Sequence, residues 1–169
     1  TLQTTAKNDP EAQKMFLNIM QEQAGYMATL IENLLSLSRI ELNQDQAPEE
    51  KIIIAPIIDD VIQALTLKAN ERNIKFNADI PSQLPAITAD HAQFHQLMQN
   101  LCDNAIKYGE DGSKIKISVK LCDDIPLSTS YLVASGPAVA ISVNNRGAVI
   151  DSEDINRLTE RFYRMQVHK

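Results

Sequence analysis

The chain has 169 residues, which suits one ordinary domain, or a helical element followed by one small α/β domain. Apolar residues make up 44% of it, which is enough for a hydrophobic core and argues against disorder. The net charge of −6 and the lack of a long Lys/Arg run argue against general nucleic-acid binding. The sequence contains no apolar run of about 18 residues, so no segment of it is expected to span a bilayer.

The two cysteines, Cys102 and Cys122, have no metal-ligand spacing. Cys102 falls on the apolar side of a predicted helix, so we expect it to be a small buried hydrophobic residue. Nothing in this pattern indicates a disulfide scaffold, which fits a reducing compartment. The first residue is not methionine, so the sequence could be a piece of a longer protein.

A long amphipathic helix is predicted from Asp9 to about Asn43. Aspartate, proline and glutamate at positions 9–11 form a helix start. A heptad seam follows at Phe16, Met20, Gln23, Met27, Leu30, Leu34 and Leu37. It is widened by Leu17, Ala24, Ile31 and Leu35. This width favours a bundle of more than two helices. Gln23 either fixes the register of that bundle or lies at its boundary, half in water.

A change of period after the polar stretch NQDQAPEE (43–50) predicts a domain boundary there. The predicted elements beyond it are a strand Lys51–Ala55, a helix Pro56–Asn70, strands Ile74–Ile80 and Ala86–Thr88, a helix capped by Asp90 and ending near Tyr108, and strands Lys114–Leu121 and Val139–Val143. Helix Pro56–Asn70 has the apolar set Ile57, Val61, Ile62, Leu65 and Leu67. Residues Cys122–Pro137 are predicted to be a long loop or a flap. The predicted fold class is therefore α+β, a bundle helix followed by a two-layer α/β sandwich with a mixed sheet.

The helix that ends in "NLCDNAIKY" has two different faces. With about 100° per residue, Asn100, Asn104 and Lys107 lie in one row. Gln96 and Asp103 lie close to this row, and Phe94, Met98, Leu101, Cys102, Ala105 and Ile106 occupy the opposite arc. An asparagine carbonyl oxygen suits Mg²⁺, and a lysine can meet a phosphate oxygen. Tyr108 ends the row, where its ring could lie beside a ribose or base. The alternative for this helix alone is a solvated face that happens to contain two asparagines.

The stretch Phe94–Tyr108 resembles the N box of sensor histidine kinases, whose ATP-binding domain is of the Bergerat type. "RLTERFYRM" (Arg157–Met165) is similar to the F box of that family, and "VNNRGAVID" (Val143–Asp151) occupies the place of its first glycine box. "MQEQAGYMATLIENLLSLSRIE" (Met20–Glu41) resembles the second helix of the dimerisation and histidine-phosphotransfer domain. The end of this helix and "LTERFYR" look most like phosphate-regulon sensor kinases.

The resemblance implies three regions. Residues 1–44 would be the second bundle helix with the end of the first, 45–50 a linker, and 51–169 an incomplete ATP-binding catalytic domain. It also implies ATP and Mg²⁺ as ligands, a homodimer through the bundle, and a response-regulator receiver domain as partner. The location would be cytoplasmic, in the cytoplasmic part of an inner-membrane protein whose sensor region lies outside this chain.

The resemblance further assigns roles to individual residues. Asn104 would ligate Mg²⁺, and Asn100 would contact the phosphate and metal region. Lys107 would touch phosphates, and Tyr108 would contact the nucleoside. The other implied binding residues are Asn145 and Gly147 in the glycine box, and Phe162, Tyr163 and Arg164 beside the lid.

The sequence departs from the family pattern in three respects, of which two concern the phosphoacceptor motif and the C-terminal part of the chain. First, no phosphoacceptor motif surrounds His91, His95 or His168, so we expect the phosphorylated histidine before residue 1. For His95, a rim position on the packed side of its helix is expected. Second, Thr159 replaces the usual first phenylalanine of the F box, and a second glycine box is absent. We therefore expect the chain by itself to be incomplete and inactive as a kinase.

The glycine box is also altered. Asn145 stands where an adenine-reading aspartate is expected, so a charge is lost. Val149 stands where a second glycine is expected, and a β-branched residue resists both positive φ and close approach of a ligand. ATP binding should be weaker by about 1–3 kcal/mol if a charge-assisted bond is lost. The alternative function is a degenerate kinase-like scaffold that does not use ATP and acts through partner binding or phosphotransfer.

Overall fold

The computed structural model describes residues 9–42, 47–123, 137–158 and 160. The chain divides into two compact units, Thr1–Ala47 and Pro48–Lys169. The elements in chain order are α1 (Pro10–Leu42), β1 (Lys51–Ile52), α2 (Ile54–Glu71), β2 (Lys75–Asp79), β3 (Ile87–Thr88), α3 (His91–Tyr108), β4 (Lys114–Cys122), β5 (Ala138–Asn144) and α4 (Ser152–Arg157). None of the helices in the described ranges has the length and hydropathy needed to cross a membrane.

The first unit contains the predicted long helix, α1. The Asp9 carboxylate caps it as expected, because its Oδ1 accepts hydrogen bonds from the backbone N–H groups of Glu11 (3.0 Å) and Ala12 (3.1 Å). Large side chains of the predicted seam and its flank are exposed in the single chain, among them Met20, Leu17, Met27, Leu30, Ile31, Leu34 and Leu35. A helix in a protein gains most of its stability when such an apolar face packs against another element. The apolar face of α1 is therefore available for another helix.

The second unit contains a mixed three-stranded sheet in the order β2–β4–β5. Strand β4 pairs in parallel with β2 and in antiparallel with β5, as in the pairs Phe76↔Ile115 and Ile117↔Val143. Strands β1 and β3 form a separate antiparallel pair. The predicted two-layer sandwich with a mixed sheet is therefore confirmed, as is the antiparallel pairing of the last two strands.

One hydrophobic core joins α2 and α3 to the sheet. Strand β4 supplies it through alternate residues, Ile115, Ile117 and Val119, each at most 2% exposed. The helices supply Ile54, Ile57, Ile58, Val61, Leu65, Ala69, Phe94, Met98, Cys102, Ala105 and Ile106. The buried face of α3 is thus held by the core, and its other face is left for contacts outside the sandwich.

Helix α2 differs from its prediction in two respects. It begins at Ile54 rather than Pro56, and β1 ends at Ile52 rather than Ala55. Pro56 lies within the first turn, where its missing N–H costs no helical hydrogen bond. Leu67, a member of the predicted apolar set, is 79% exposed. It projects well away from the arc that contains Ile54, Val61 and Leu65, and Ile58 and Ala69 fill the core instead.

Two further differences concern the chain after α2. Leu101 was expected on the packed arc of α3 but is 41% exposed, because it lies at the edge of that arc. Helix α4 was not predicted as a helix.

Most of the predicted loop Cys122–Pro137, residues 124–136, lies outside the described residues, as do residues 1–8 and 43–46.

The Cys102 thiol is fully buried, as expected, and burial raises its pKa from 9.0 to about 11. The folded state therefore keeps this proton at a pH where the unfolded chain has lost it. Its contribution to stability is full below pH 9.0 and is lost as pH rises towards about 11. We expect this thiol to account for a loss of about 2–3 kcal/mol of unfolding free energy over that interval.

Urea unfolding at several pH values would measure this loss. Cys102→Ala should have a flatter dependence above pH 9.0 than the parent chain, and Cys122→Ala should keep the parent slope. An equal slope in all three proteins would show that other groups cause the alkaline loss.

Candidate functional site

Local features of the sequence position α3. Its N-terminus is capped by Asp90, whose Oδ1 accepts a hydrogen bond of 2.8 Å from the Gln93 N–H. Its apolar side, Phe94, Met98, Cys102, Ala105 and Ile106, is buried in the core. These two features set the rotation of the helix, and hence the direction of its polar row.

The predicted row lies on the exposed side of α3. The side chains of Asn100, Asn104 and Lys107 are exposed, and Tyr108 is 41% exposed. No hydrogen bond within the described part of the chain engages the amide of Asn100 or Asn104. The Lys107 ammonium lies 5.2 Å from the centre of the Tyr108 ring, close enough for a cation–π contact. The row therefore offers two amide oxygens followed by an ammonium and an aromatic ring.

The neighbours of this row have other environments. Asp103 forms an ion pair with Lys68 of α2, so its carboxylate already has a cation. Gln96 is half-buried. His95 is also half-buried, in agreement with the rim position expected for it.

The segment after β5 joins the end of α3 through the backbone. Gly109 and Gly147 form an antiparallel bridge, and the Glu110 N–H donates a 2.7 Å hydrogen bond to the Arg146 carbonyl. The Arg146 guanidinium and the Glu110 carboxylate also form an ion pair of 3.0 Å. We call these contacts between Gly109–Glu110 and Arg146–Gly147 the backbone clasp. It brings the predicted glycine-box residues next to the last turn of α3.

Close approach explains why glycine is present at position 147. A Cβ there would lie 2.3 Å from the Tyr108 carbonyl oxygen, closer than non-bonded atoms approach. It would also lie 3.3 Å from the Nδ2 of Asn145, so the Asn145 amide is adjacent to this glycine. Gly147 is therefore needed for the contact between the two segments, independently of any ligand.

Val149 has a different environment. It is 93% exposed, and its φ is not positive, since Asn73 is the one non-glycine residue with positive φ in the described ranges. The requirement for positive φ that favours glycine is therefore not present at Val149. The volume of the valine side chain is the remaining difference from glycine at this position.

The predicted lid residues Phe162, Tyr163 and Arg164, and the F-box residue Thr159, lie outside the described residues. Sequence reasoning missed the backbone clasp and the contacts of Arg72 with the end of α3. Neither leaves a signal in the spacing of residues, because both join positions that are distant in the sequence.

The donor set fits a metal that is bound together with a phosphate ligand. In the described residues, no group of three or more His, Cys, Asp or Glu side chains could hold a metal ion by itself. Mg²⁺, however, usually takes only one or two protein ligands and fills its shell with water and substrate phosphates. The unengaged oxygen of Asn104, with the Lys107 ammonium one turn away, is compatible with that kind of site.

Comparison with known proteins supports the resemblance found in the sequence. Residues 89–169 match the family model of histidine kinase-, DNA gyrase B- and HSP90-like ATPases. The proteins that this family model describes share an ATP-binding domain. The resemblance to sensor histidine kinases with a Bergerat-type ATP-binding domain is confirmed. The more detailed resemblance to phosphate-regulon sensors stays a prediction.

The relatives in sequence include several sensor kinases. The adaptive-response sensory kinase SasA of Crocosphaera subtropica is 26% identical over 171 residues, covering 98% of this chain and 42% of its own length. The signal transduction histidine-protein kinase ArlS of Staphylococcus aureus is 28% identical, covering 97% of this chain and 33% of its own length. The sensor histidine kinase WalK of Bacillus subtilis is 25% identical, covering 89% and 23%. The chain thus spans less than half the length of these relatives.

Solved structures show the same fold. The histidine kinase AdeS of Acinetobacter baumannii has a TM-score of 0.61 at 23% identity, covering 89% of this chain and 66% of that chain. The histidine kinase ThkA, solved in complex with the response regulator protein TrrA, has a TM-score of 0.67 at 23% identity, covering 93% and 42%. At this identity the likeness establishes the fold alone.

Proposed function

We propose that this chain is part of the cytoplasmic core of a two-component sensor histidine kinase. It would bind Mg-ATP, phosphorylate a histidine outside this chain, and pass the phosphoryl group to an aspartate of a response regulator. The observation that supports this best is the exposed row of Asn100, Asn104, Lys107 and Tyr108 beside the Asn145–Gly147 segment. Most of these side chains are free to meet a ligand, whereas the other face of α3 is fixed in the core.

Each residue of the site would have a distinct task. Asn104 would ligate Mg²⁺, Asn100 would contact the phosphate and metal region, and Lys107 would meet a phosphate oxygen as a point charge. Tyr108 and Asn145 would contact the nucleoside, with Gly147 keeping the two segments together. The lid would be flanked by Phe162, Tyr163 and Arg164. Bound Mg²⁺ would neutralise charge on the phosphate oxygens, and the remaining work in phosphoryl transfer is positioning.

The first unit would provide the dimer. The exposed apolar residues of α1, such as Met27 and Leu34, suit a helical bundle with a second copy. A receiver domain is the proposed partner, supported by the ThkA complex with its response regulator. Residues 1–44 would then be bundle, 45–50 linker and 51–169 catalytic domain.

A second candidate function is a scaffold that no longer uses ATP. It is favoured by Asn145, which lacks the charge of aspartate, and by Val149, whose exposed side chain adds volume where glycine is expected. The apolar face of α1 would serve this function equally well. The two functions differ in whether the chain binds nucleotide.

Titration of the chain with Mg-ATP tests this difference. We expect Asn145→Asp to tighten binding by about tenfold, because it restores a charge-assisted hydrogen bond. Val149→Gly should change affinity less, since Val149 does not have the positive φ that would favour glycine. A matched control is Asn77→Asp, which adds the same charge at an exposed position of β2 and should leave the affinity unchanged.

The outcomes separate the two functions. Binding of Mg-ATP by the parent chain in the micromolar range would contradict the scaffold function. Absence of binding at millimolar Mg-ATP, with binding restored in the double variant of Asn145→Asp and Val149→Gly, would contradict the kinase. A gain with Asn77→Asp equal to that with Asn145→Asp would mean that net charge, and not position 145, sets the affinity.

A further inference from the structure

Arg72, directly after α2, contacts the end of α3 with all three of its guanidinium nitrogens. Its NH1 group donates hydrogen bonds to the carbonyl oxygens of Ile106 and, at 3.0 Å, Lys107. Its NH2 group donates to the Gly109 carbonyl at 2.9 Å. Its Nε donates to Oδ1 of Asp111 at 2.8 Å, and NH2 lies 2.6 Å from the same oxygen. One side chain thus binds three backbone carbonyls and one carboxylate.

These carbonyls are the ones that a helix cannot satisfy for itself. The last C=O groups of α3 have no partner within the helix, and they carry the negative end of its dipole. A planar, permanently charged guanidinium is suited to bind several of them at once, whereas a lysine offers only a compact ammonium. The main chain adds to this contact, because the Gly112 N–H donates to the Arg72 carbonyl at 3.0 Å.

The residues directly after α3 form the backbone clasp. Arg72 binds the Gly109 carbonyl, and Gly109 is the residue that pairs with Gly147. It binds the Lys107 carbonyl as well, directly before Tyr108. The last turn of α3 is therefore held from one side by Arg72, and it in turn holds the segment that carries Asn145.

We propose that Arg72 is a positioning residue for the nucleotide site. It does not contact the ligand; it fixes the last turn of α3 so that Lys107, Tyr108 and the clasped Asn145–Gly147 segment keep one relative geometry. This inference rests on the proposed function, since it assigns the purpose of the geometry to nucleotide binding. The alternative is that Arg72 only adds to overall stability, as any ion pair between α2 and α3 could.

The ion pair between Lys68 and Asp103 provides the matched control. It also joins α2 to α3, but it lies about one turn before the end of α3 and involves none of its last carbonyls. Arg72→Met and Lys68→Met each remove one cation from the α2–α3 contact, and only the first uncaps the helix. Arg72→Lys keeps the charge and loses the planar fork.

Amide hydrogen exchange and Mg-ATP titration would be measured by NMR on the 169-residue chain. The Glu110 amide reports the backbone clasp without any ligand, since it donates to the Arg146 carbonyl. The shifts of the Lys107 and Tyr108 amides report nucleotide binding. We expect Arg72→Met to raise both the Glu110 exchange rate and the dissociation constant by about tenfold, the size of a lost helix cap.

The other variants distinguish positioning from general stability. Arg72→Lys should recover little of the loss, and it serves as the test variant if Arg72→Met does not fold. Lys68→Met should leave both readouts within about twofold of the parent. A third comparison is Ile58→Val, which should lower the melting temperature through the core without changing the Glu110 exchange relative to its neighbours.

Three outcomes would overturn the inference. Unchanged Glu110 exchange in both Arg72 variants would show that Arg72 does not hold the turn. Faster exchange with unchanged Mg-ATP affinity would show that the turn does not matter for the ligand. If Lys68→Met lost as much Glu110 protection and Mg-ATP affinity as Arg72→Met, the effect of Arg72 would be explained by general stability alone. Absence of Mg-ATP binding by the parent chain, with binding restored in the double variant of Asn145→Asp and Val149→Gly, would contradict the proposed function and with it the nucleotide role of Arg72. Glu110 exchange would still decide whether Arg72 holds the turn.

Discussion

Asn104→Ala is expected to weaken Mg²⁺-dependent nucleotide binding by roughly 10- to 100-fold, the size of a lost interaction with a charged group. The reason is that the variant removes the proposed metal ligand. The fold should be unaffected, because the Asn104 side chain is exposed on α3. Alanine is also the better helix former, so the melting temperature should stay the same or rise slightly.

The measurement is a pair of titrations with ATP, one with Mg²⁺ and one with a chelator, together with a thermal melt. The control is Gln99→Ala, an exposed amide on the same helix that lies off the row. The proposed placement of Asn104 would be contradicted by an equal loss in Gln99→Ala, or by a loss that persists without metal. Loss of a dimer in Asn104→Ala would also contradict it, because no role in the bundle is assigned to this residue.

Gly147→Ala is expected to open the backbone clasp and to destabilise the second unit by about 1–3 kcal/mol. The new methyl group would lie 2.3 Å from the Tyr108 carbonyl oxygen, so either the bridge to Gly109 or the end of α3 must move. Nucleotide binding should be lost together with the clasp, since the Asn145 segment would no longer lie against α3.

Urea unfolding, with the Glu110 amide followed separately, would measure both effects. Gly25→Ala is the contrasting variant, because no described atom beyond its chain neighbours and its own helix backbone lies within 4 Å of a Cβ at that position. It should stabilise α1 by about 0.5–1 kcal/mol through the helix propensity of alanine. If Gly147→Ala unfolds at the parent urea concentration and keeps the Glu110 exchange rate, the close approach between the two segments does not exist in solution.

These variants test two features of the site, a row of side chains on one helix and a set of contacts between distant segments. The row on α3 is a local feature, since one helix carries Asn100, Asn104 and Lys107. The relation of that row to Asn145 depends on contacts between distant segments, the bridge of Gly109 with Gly147 and the fork of Arg72. The row on α3 could be predicted from the sequence, whereas the contacts between distant segments could not.

The sequence by itself determined the features that depend on near neighbours. The 3.6-residue period predicted α3 and its buried side, and the Asp90 cap was evident at its start. Alternation predicted β4, and the heptad pattern predicted α1 to within one residue at its end. The resemblance of Phe94–Tyr108 to the N box also pointed to the family whose model matches residues 89–169. Each of these rests on side-chain spacing along one element, which the order of residues contains directly.

Only the tertiary structure decided which distant groups meet. The parallel pairing of β2 with β4, the exposure of Leu67, and the contact of Gly147 with the Tyr108 carbonyl all depend on how the layers pack. Arg72 is one cation among many in the sequence, and its three carbonyl partners are defined only when α2 ends beside α3. Such contacts form when loop closure brings separated segments together, and their geometry is set by the packing of the whole core rather than by spacing along the chain.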